Sequence, residues 1–150
     1  MNIVEVKYRT PDLINQLLAV WEGSARATHL FLSDNEIKSI KEYVPQALNG
    51  IDHLVIAEDD AGRPVAFMGI ADGTLEMLFI SPQERGKGLG KRLIQYGIKN
   101  YSVQQLAVNE QNPQAKGFYE HMGFQVYKRT DLDEQGNPYP LLYMSLSNMD

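Results

Sequence analysis

The chain has 150 residues, 43% hydrophobic, 22% charged and 9% aromatic, which suits one domain large enough to bury a core of its own. It contains no cysteine, which excludes disulfides, thiolate metal sites and a cysteine nucleophile, and its three histidines (His29, His53, His121) are too few for a histidine-rich metal centre. A net charge of −5 argues against a general nucleic-acid binder and is compatible with a cationic partner.

The opening MNIVEVKYRTPDL alternates apolar and polar residues, and no stretch approaches about 18 uninterrupted apolar residues. Neither a secretory signal nor a membrane span is expected, and a cytoplasmic protein is the default reading. Asn2–Tyr8 sets Ile3, Val4, Val6 and Tyr8 among polar neighbours and reads as a strand. Thr10 as cap and Pro11 at the first position open a helix with Leu13, Leu17, Val20 and Trp21 as its apolar stripe. Ser33 caps a second helix, with Glu36 as its capping-box partner. That helix carries Ile37, Ile40, Val44 and Leu48, and Pro45 is expected to kink or end it.

Leu54–Ala57, Val65–Ile70 and Leu75–Ile80 follow as a meander of strands broken by the turns EDDAGRP and ADGT. After Ser81-Pro82 comes a glycine-rich turn, then a helix with Leu89, Leu93, Tyr96 and Gly97 at helical spacing. Val103–Val108 reads as a strand. Asn112 caps a helix with Pro113 at its first position, and Gly123 ends it. Phe124–Thr130 and Leu141–Leu146 are the last strands, joined by the acidic loop DLDEQGNPYP. Meander strands pair antiparallel, and strands separated by a helix can lie parallel. The order predicts an α/β domain (α+β in some schemes) with a mixed, largely antiparallel sheet of about seven strands and helices on both faces. No repeat or linker divides it, so residues 1–150 are expected to form a single domain.

The glycine-rich turn, SPQERGKGLGKR, places Gly86, Gly88 and Gly90 among Arg85, Lys87, Lys91 and Arg92. Glycines let backbone N–H groups converge, and a helix starting there points its positive dipole end at whatever binds, so the turn suits an anion. It fails the P-loop pattern, because no Ser or Thr follows a Gly-Lys pair. It fails the dinucleotide fingerprint too, because Lys91 stands where the third glycine belongs. A nucleotide-binding domain of another kind is therefore remote.

The run Arg85-Gly86-Lys87-Gly88-Leu89-Gly90 resembles the R/Q-x-x-G-x-G/A motif of the GNAT superfamily, the acyl-CoA-dependent N-acyltransferases. The preceding LEMLFISP, the downstream NEQNPQAKGFYEHMGF and the element order extend the resemblance over nearly the whole chain. THLFLS and NPYPLLYMSL are similar to the small bacterial YjaB-like branch. The resemblance implies acetyl-CoA as co-substrate, no metal, and an acceptor amine. It implies that the main chain of Leu78, Phe79 and Ile80 grips the pantetheine arm, with the thioester carbonyl near the Leu78 N–H. The N–H groups of Gly86, Lys87, Gly88, Leu89, Gly90 and Lys91 would bind the pyrophosphate, with Arg85 at the first motif position. The side chains of Lys87, Lys91 and Arg92 either reach phosphates or stay solvated. Asn112 matches the asparagine that binds pantetheine, Ala115 the small residue beside it, and Tyr119 the tyrosine beside the coenzyme sulfur. Tyr119 also falls on an apolar helical stripe with Ala115, Phe118 and Met122, which a plain core tyrosine would explain.

The implied reaction is direct attack of a primary amine on the acetyl carbonyl, through a tetrahedral intermediate, with Tyr119 as general acid. A phenol of pKa about 10 protonates a thiolate of pKa roughly 8.5 at little cost, whereas an amine of pKa about 10.4 needs roughly 4–5 kcal/mol to lose its proton at pH 7. Glu76, two residues before Leu78 and expected on the same sheet face, is the first candidate base. His29, in the region where the family builds its acceptor pocket, is the second, and a water chain is the third. Asn109, at the end of its strand, is expected either to touch the acceptor or to close the turn. His53 and His121 read as ordinary surface residues. The acceptor is either a protein lysine or N-terminus or a small amine, and a non-catalytic acyl-CoA sensor on the same fold is the alternative. No nucleic acid or membrane partner is expected, and the protein is expected to be a monomer or a homodimer.

Overall fold

The computed structural model describes residues 1–146. Strand β1 (Asn2–Glu5) leads into helix α1 (Pro11–Thr28), where the Thr10 hydroxyl accepts the Leu13 N–H at 3.2 Å and Pro11 takes the first turn. Helix α2 (Asp34–Lys41) starts with a closed capping box: Glu36 N–H donates to Ser33 Oγ at 3.1 Å and Ser33 N–H donates to Glu36 Oε1 at 2.8 Å. Pro45 does not kink or end this helix. The chain turns at Glu42–Tyr43, and Pro45 sits in the first turn of a separate helix, α3 (Val44–Gly50), where its missing N–H costs nothing.

Strands β2 (His53–Glu58), β3 (Pro64–Ala71) and β4 (Thr74–Ile80) form the expected antiparallel meander. A single 3₁₀ turn at Pro82–Glu84 and the glycine turn lead into α4 (Leu89–Tyr101). Strand β5 (Gln105–Asn109), helix α5 (Pro113–His121) and strands β6 (Phe124–Thr130) and β7 (Leu141–Leu146) complete the chain. The seven strands lie in the order β1-β2-β3-β4-β5-β7-β6, and every neighbouring pair is antiparallel except β4 and β5. Among the described residues, no helix is long and apolar enough to cross a membrane.

Two cores cover the two faces of the sheet. Leu54, Ile56 and Phe67 pack with α1, α2 and α3, while Val55, Ala57, Ala66, Met68 and Ile70 pack with α4 and α5. Both faces of β2 and β3 are thus buried, which is why their sequences run apolar without alternation.

At the far end of α4, Tyr101 Oη donates to Glu5 Oε1 at 2.6 Å, His53 Nδ1 donates to Glu5 Oε2 at 3.0 Å, and the His53 and Tyr101 rings lie 4.6 Å apart. His53, read above as an ordinary surface residue, thus clasps β2 to β1 and to α4. These bonds hold the Glu5 carboxyl below its ordinary range, Tyr101 first and His53 second. A depressed carboxylate stabilises the fold above its unfolded pKa and loses that stabilisation as pH falls through its folded pKa. Tyr101→Phe is therefore expected to cost about 1 kcal/mol at pH 7, the low end for a bond to a partly exposed charged group, and clearly less at pH 3. Urea denaturation of both proteins at the two pH values measures it.

Candidate active site

The site begins where the sheet comes apart. Strands β4 and β5 pair at two positions, Thr74 with Gln105 and Leu75 with Leu106, and then diverge. Beyond Leu75, the β4 edge that faced β5 is open. Its backbone orientation follows from one bond: Ser81 N–H donates to Val65 C=O at 2.8 Å, so these two residues form a hydrogen-bonded antiparallel pair. Such pairs alternate with non-bonded ones, and the next positions are Ile80 opposite Ala66, Phe79 opposite Phe67 and Leu78 opposite Met68. The N–H and C=O groups of Leu78 and Ile80 therefore point away from β3, into the opening. An extended polar ligand can add to this edge as a strand would.

The opening continues into a cleft of about 460 Å³ that ends at the start of α4. Gly86 and Gly88 adopt φ of 77° and 82°, and Gly88 caps α4 with no side-chain hydrogen bond. The N–H of Arg92 closes the first helical turn onto Gly88 C=O, which leaves the N–H groups of Leu89, Gly90 and Lys91 aimed outward at the dipole's positive end. Nothing lies within 4 Å of where a Cβ would stand on Gly86 or Gly88, so the space beside this backbone is open to a ligand. Arg85 and Lys91 line the cleft, and Arg85 Nη2 donates to Gln114 Oε1 at 3.1 Å, tying the turn to α5. Two other cations turn elsewhere. Lys87 pairs with Glu84 at 3.6 Å and does not line the cleft, and Arg92 reaches back to Met1 C=O at 3.5 Å.

Helix α5 forms the opposite wall. Its cap is Asn112, whose Oδ1 accepts the Ala115 N–H at 3.3 Å, and both residues line the cleft. Tyr119 is 8% exposed and packs edge-on against Phe118 and Phe124, with ring centroids 5.2 and 6.1 Å away. Among the described residues its hydroxyl has no hydrogen-bond partner, while every sealed side-chain nitrogen or oxygen has one, so the hydroxyl opens on a cavity. It stands between two: the cleft, and a narrower space of about 190 Å³ in the splay, where Glu76, Asn109 and His29 join it. Burial pushes its pKa above the ordinary tyrosine value and keeps it protonated.

Glu76 departs from expectation in one respect. Ile70 faces Leu75 and Gly69 faces Met77, so Glu76 is the extra residue of a β-bulge. The bulge reverses the alternation: Leu75 and Leu78 both pack toward α4 and α5, and Met77 and Phe79 toward α1 to α3. Glu76 sits at that break, so alternation alone does not place it on the face of Leu78, although both residues line the splay. It is exposed at the splay, and partial burial of its carboxyl, with Glu134 nearby, raises its pKa. Gly69, opposite Met77, lets the Met77 side chain pack over its backbone, since a Cβ there would sit 2.6 Å from Met77 Cε.

On the α1 side a second pocket of about 540 Å³ opens between α1, α2 and the β6–β7 loop. Its walls include Trp21, Phe31, Tyr43 and Tyr139, and Phe31 and Tyr139 pack with ring centroids 5.5 Å apart. Glu36 and Asp133 also line it, with one oxygen of each already accepting backbone N–H bonds, and Asn109 lies where it meets the splay. Sequence reasoning placed His29 and Asn109 here but missed the aromatic walls. It also missed Ser24 and Thr28, which line the cleft from α1. Trp21 carried a signal only as part of a core stripe.

The residues the motif singled out thus converge, apart from the side chains of Lys87 and Arg92, around an open strand edge beside a helix N-terminus. Comparison with known proteins agrees. An acetyltransferase (GNAT) domain is matched over residues 21–140. A peptidyl-lysine N-acetyltransferase, YjaB, of Salmonella typhimurium is 41% identical over 127 residues, covering 85% of this chain and 87% of that protein. YjaB of Escherichia coli is 37% identical over 147 residues, covering 95% and 97%. Its apo solution structure superposes with a TM-score of 0.87 over 99% of each chain. With two thirds of its own length and more aligned to them, this chain belongs to the GNAT acetyltransferase family and is an acetyl-CoA-dependent N-acetyltransferase.

Proposed function

We propose that this enzyme acetylates the ε-amine of a protein lysine and that Tyr119 is its proton donor. The observation that carries the reading is the meeting, at His29 and Phe79, of a cleft that has a free strand edge and Tyr119 on its wall with a separate aromatic pocket. The residues present fit acetyl-CoA, whose part is to supply the acetyl group as an activated thioester. Leu89, Gly90 and Lys91 offer N–H groups to the diphosphate, and Leu78, Phe79, Ile80, Asn112 and Ala115 flank the pantetheine arm. The Leu78 N–H would donate to the carbonyl oxygen as charge grows on it. Tyr119 protonates the leaving sulfur, and burial ensures that it holds the proton when needed. Glu76, exposed at the splay beside Tyr119 and His29, attracts the incoming ammonium.

A lysine is favoured over a small amine on two grounds. The relatives at 41% and 37% identity are named as peptidyl-lysine N-acetyltransferases. The acceptor pocket combines aromatic walls suited to a four-carbon stem with carboxylates suited to its ammonium. Thiol release from acetyl-CoA is expected with lysine-containing peptides, with mass spectrometry placing the acetyl group on the ε-nitrogen. Turnover confined to small amines would overturn the acceptor assignment.

The diphosphate cradle has its own test. Gly88→Ala costs about 1–2 kcal/mol of left-handed strain and sets a methyl group in the space the phosphates would fill. Coenzyme A affinity is expected to fall at least about tenfold, the equivalent of 1.4 kcal/mol, by isothermal titration calorimetry. Gly62→Ala, at φ 79° in the β2–β3 turn, carries the same strain and is expected to leave affinity alone.

A further inference from the structure

Of the residues around the three cavities, His29 and Phe79 line all of them, and His29 alone of the two can carry a proton. Its ring is held by Phe31 and Phe79, with centroids 5.5 and 6.1 Å away, and by one hydrogen bond that decides its chemistry. Thr28 Oγ1 donates to the Ser24 carbonyl at 2.8 Å and lies 2.9 Å from His29 Nδ1. A hydroxyl has one proton, and a carbonyl can only accept. Both contacts are satisfied at once only when that proton goes to Ser24 and Nδ1–H donates to Thr28. In that arrangement the neutral ring carries its hydrogen on Nδ1 and leaves Nε2 bare. Among the described residues Nε2 has no hydrogen-bond partner, while every sealed side-chain nitrogen or oxygen has one, so this lone pair opens on the cavities.

Resting on the acetyl-transfer reading, we infer that His29 Nε2 is the base that takes the acceptor's proton, and that Thr28 is the positioning residue that fixes its tautomer. The lysine enters as an ammonium beside Glu76 and gives its first proton to solvent. As its nitrogen bonds to the carbonyl carbon and the carbon–sulfur bond breaks, the second proton passes to Nε2 and the Tyr119 proton passes to sulfur. The imidazolium then releases its proton to solvent through the open acceptor pocket, and Tyr119 is reprotonated, so the net products are an amide, a free thiol and one proton.

The titratable and charged groups that share the cavities of His29 are Glu76 and Tyr119 in the splay, Glu36 and Asp133 in the acceptor pocket, and Glu84, Arg85 and Lys91 in the coenzyme cleft. Burial nevertheless dominates and lowers the ring's pKa from its ordinary value of 6.5, so Nε2 stays bare at neutral pH.

Nitrogen-15 NMR of the wild-type protein is expected to show the His29 hydrogen on Nδ1 and a bare Nε2. His29→Gln is expected to lower kcat roughly 10²-fold on a lysine peptide, keep coenzyme A affinity, and lose the acid limb of the pH–rate profile, whose wild-type midpoint lies below 6.5. Thr28→Val is expected to mix the tautomers and lower kcat, with Thr28→Ser restoring both. A hydrogen on Nε2 in the wild type, or an active wild type whose His29→Gln variant keeps its kcat and acid limb, overturns the inference. A wild-type enzyme that acetylates no amine would instead overturn the reading beneath it.

Discussion

Tyr119→Phe is expected to lower kcat roughly 10²–10⁴-fold, the range of a lost general acid, with little change in coenzyme affinity or stability. The ring alone packs against Phe118 and Phe124, and phenylalanine keeps both contacts. The hydroxyl has no partner among the described residues, so its removal orphans no buried group. A purely structural tyrosine would lose little here; a proton donor would lose nearly everything. The pH dependence sharpens the test. Because burial raises the phenol's pKa above 10, the donor form persists to higher pH than an ordinary tyrosine would allow, and Tyr119 should impose no alkaline fall in kcat below about pH 10. Steady-state kinetics on a lysine peptide from pH 6 to 10, with calorimetric binding alongside, would show both effects.

Phe67→Ala is expected to be the most damaging core substitution, at about 3–5 kcal/mol. Phe67 is 0% exposed in the middle of β3, beneath α1. Its loss is large against the 5–15 kcal/mol that typically holds a domain together, and is expected to lower the melting temperature by roughly 10 °C or more. Its effect reaches the site as well. Phe67 supports Phe79 at 5.5 Å between ring centroids, and Phe79 lines all three cavities. Loosening that wall should raise the acceptor KM even at temperatures where the variant remains folded. Urea denaturation and acceptor titration measure the two consequences separately.

Much of this architecture can be read from local chemistry. The Thr10, Ser33 and Asn112 caps mark their helices because each satisfies an N–H its own helix cannot, and β6 and β7 run over the predicted residues. The glycine turn was legible for a similar reason, since positive φ beside a helix start leaves a distinct residue pattern. What stayed hidden depends on tertiary context. Val44 and Leu48 continue the stripe of Ile37 because α2 and α3 bury their apolar residues in one core, so periodicity could not reveal the break between them. Tyr8, read into the first strand, lies beyond β1 and is 86% exposed. The bulge at Glu76 shifts the register inside an apolar run, where alternation has nothing to count. Phe31 and Tyr139 meet in the pocket beside α1 from distant parts of the chain, and no local pattern links them.

The two-rung seam between β4 and β5 has a mechanical consequence. The sheet is in effect a pair of smaller sheets, β1 to β4 and β5 to β6, stitched at one margin. A thread lying in the gap would be gripped from both banks and would complete the weave. Under the proposed mode of binding, substrate therefore doubles as mortar: resistance to unfolding climbs with the logarithm of its concentration.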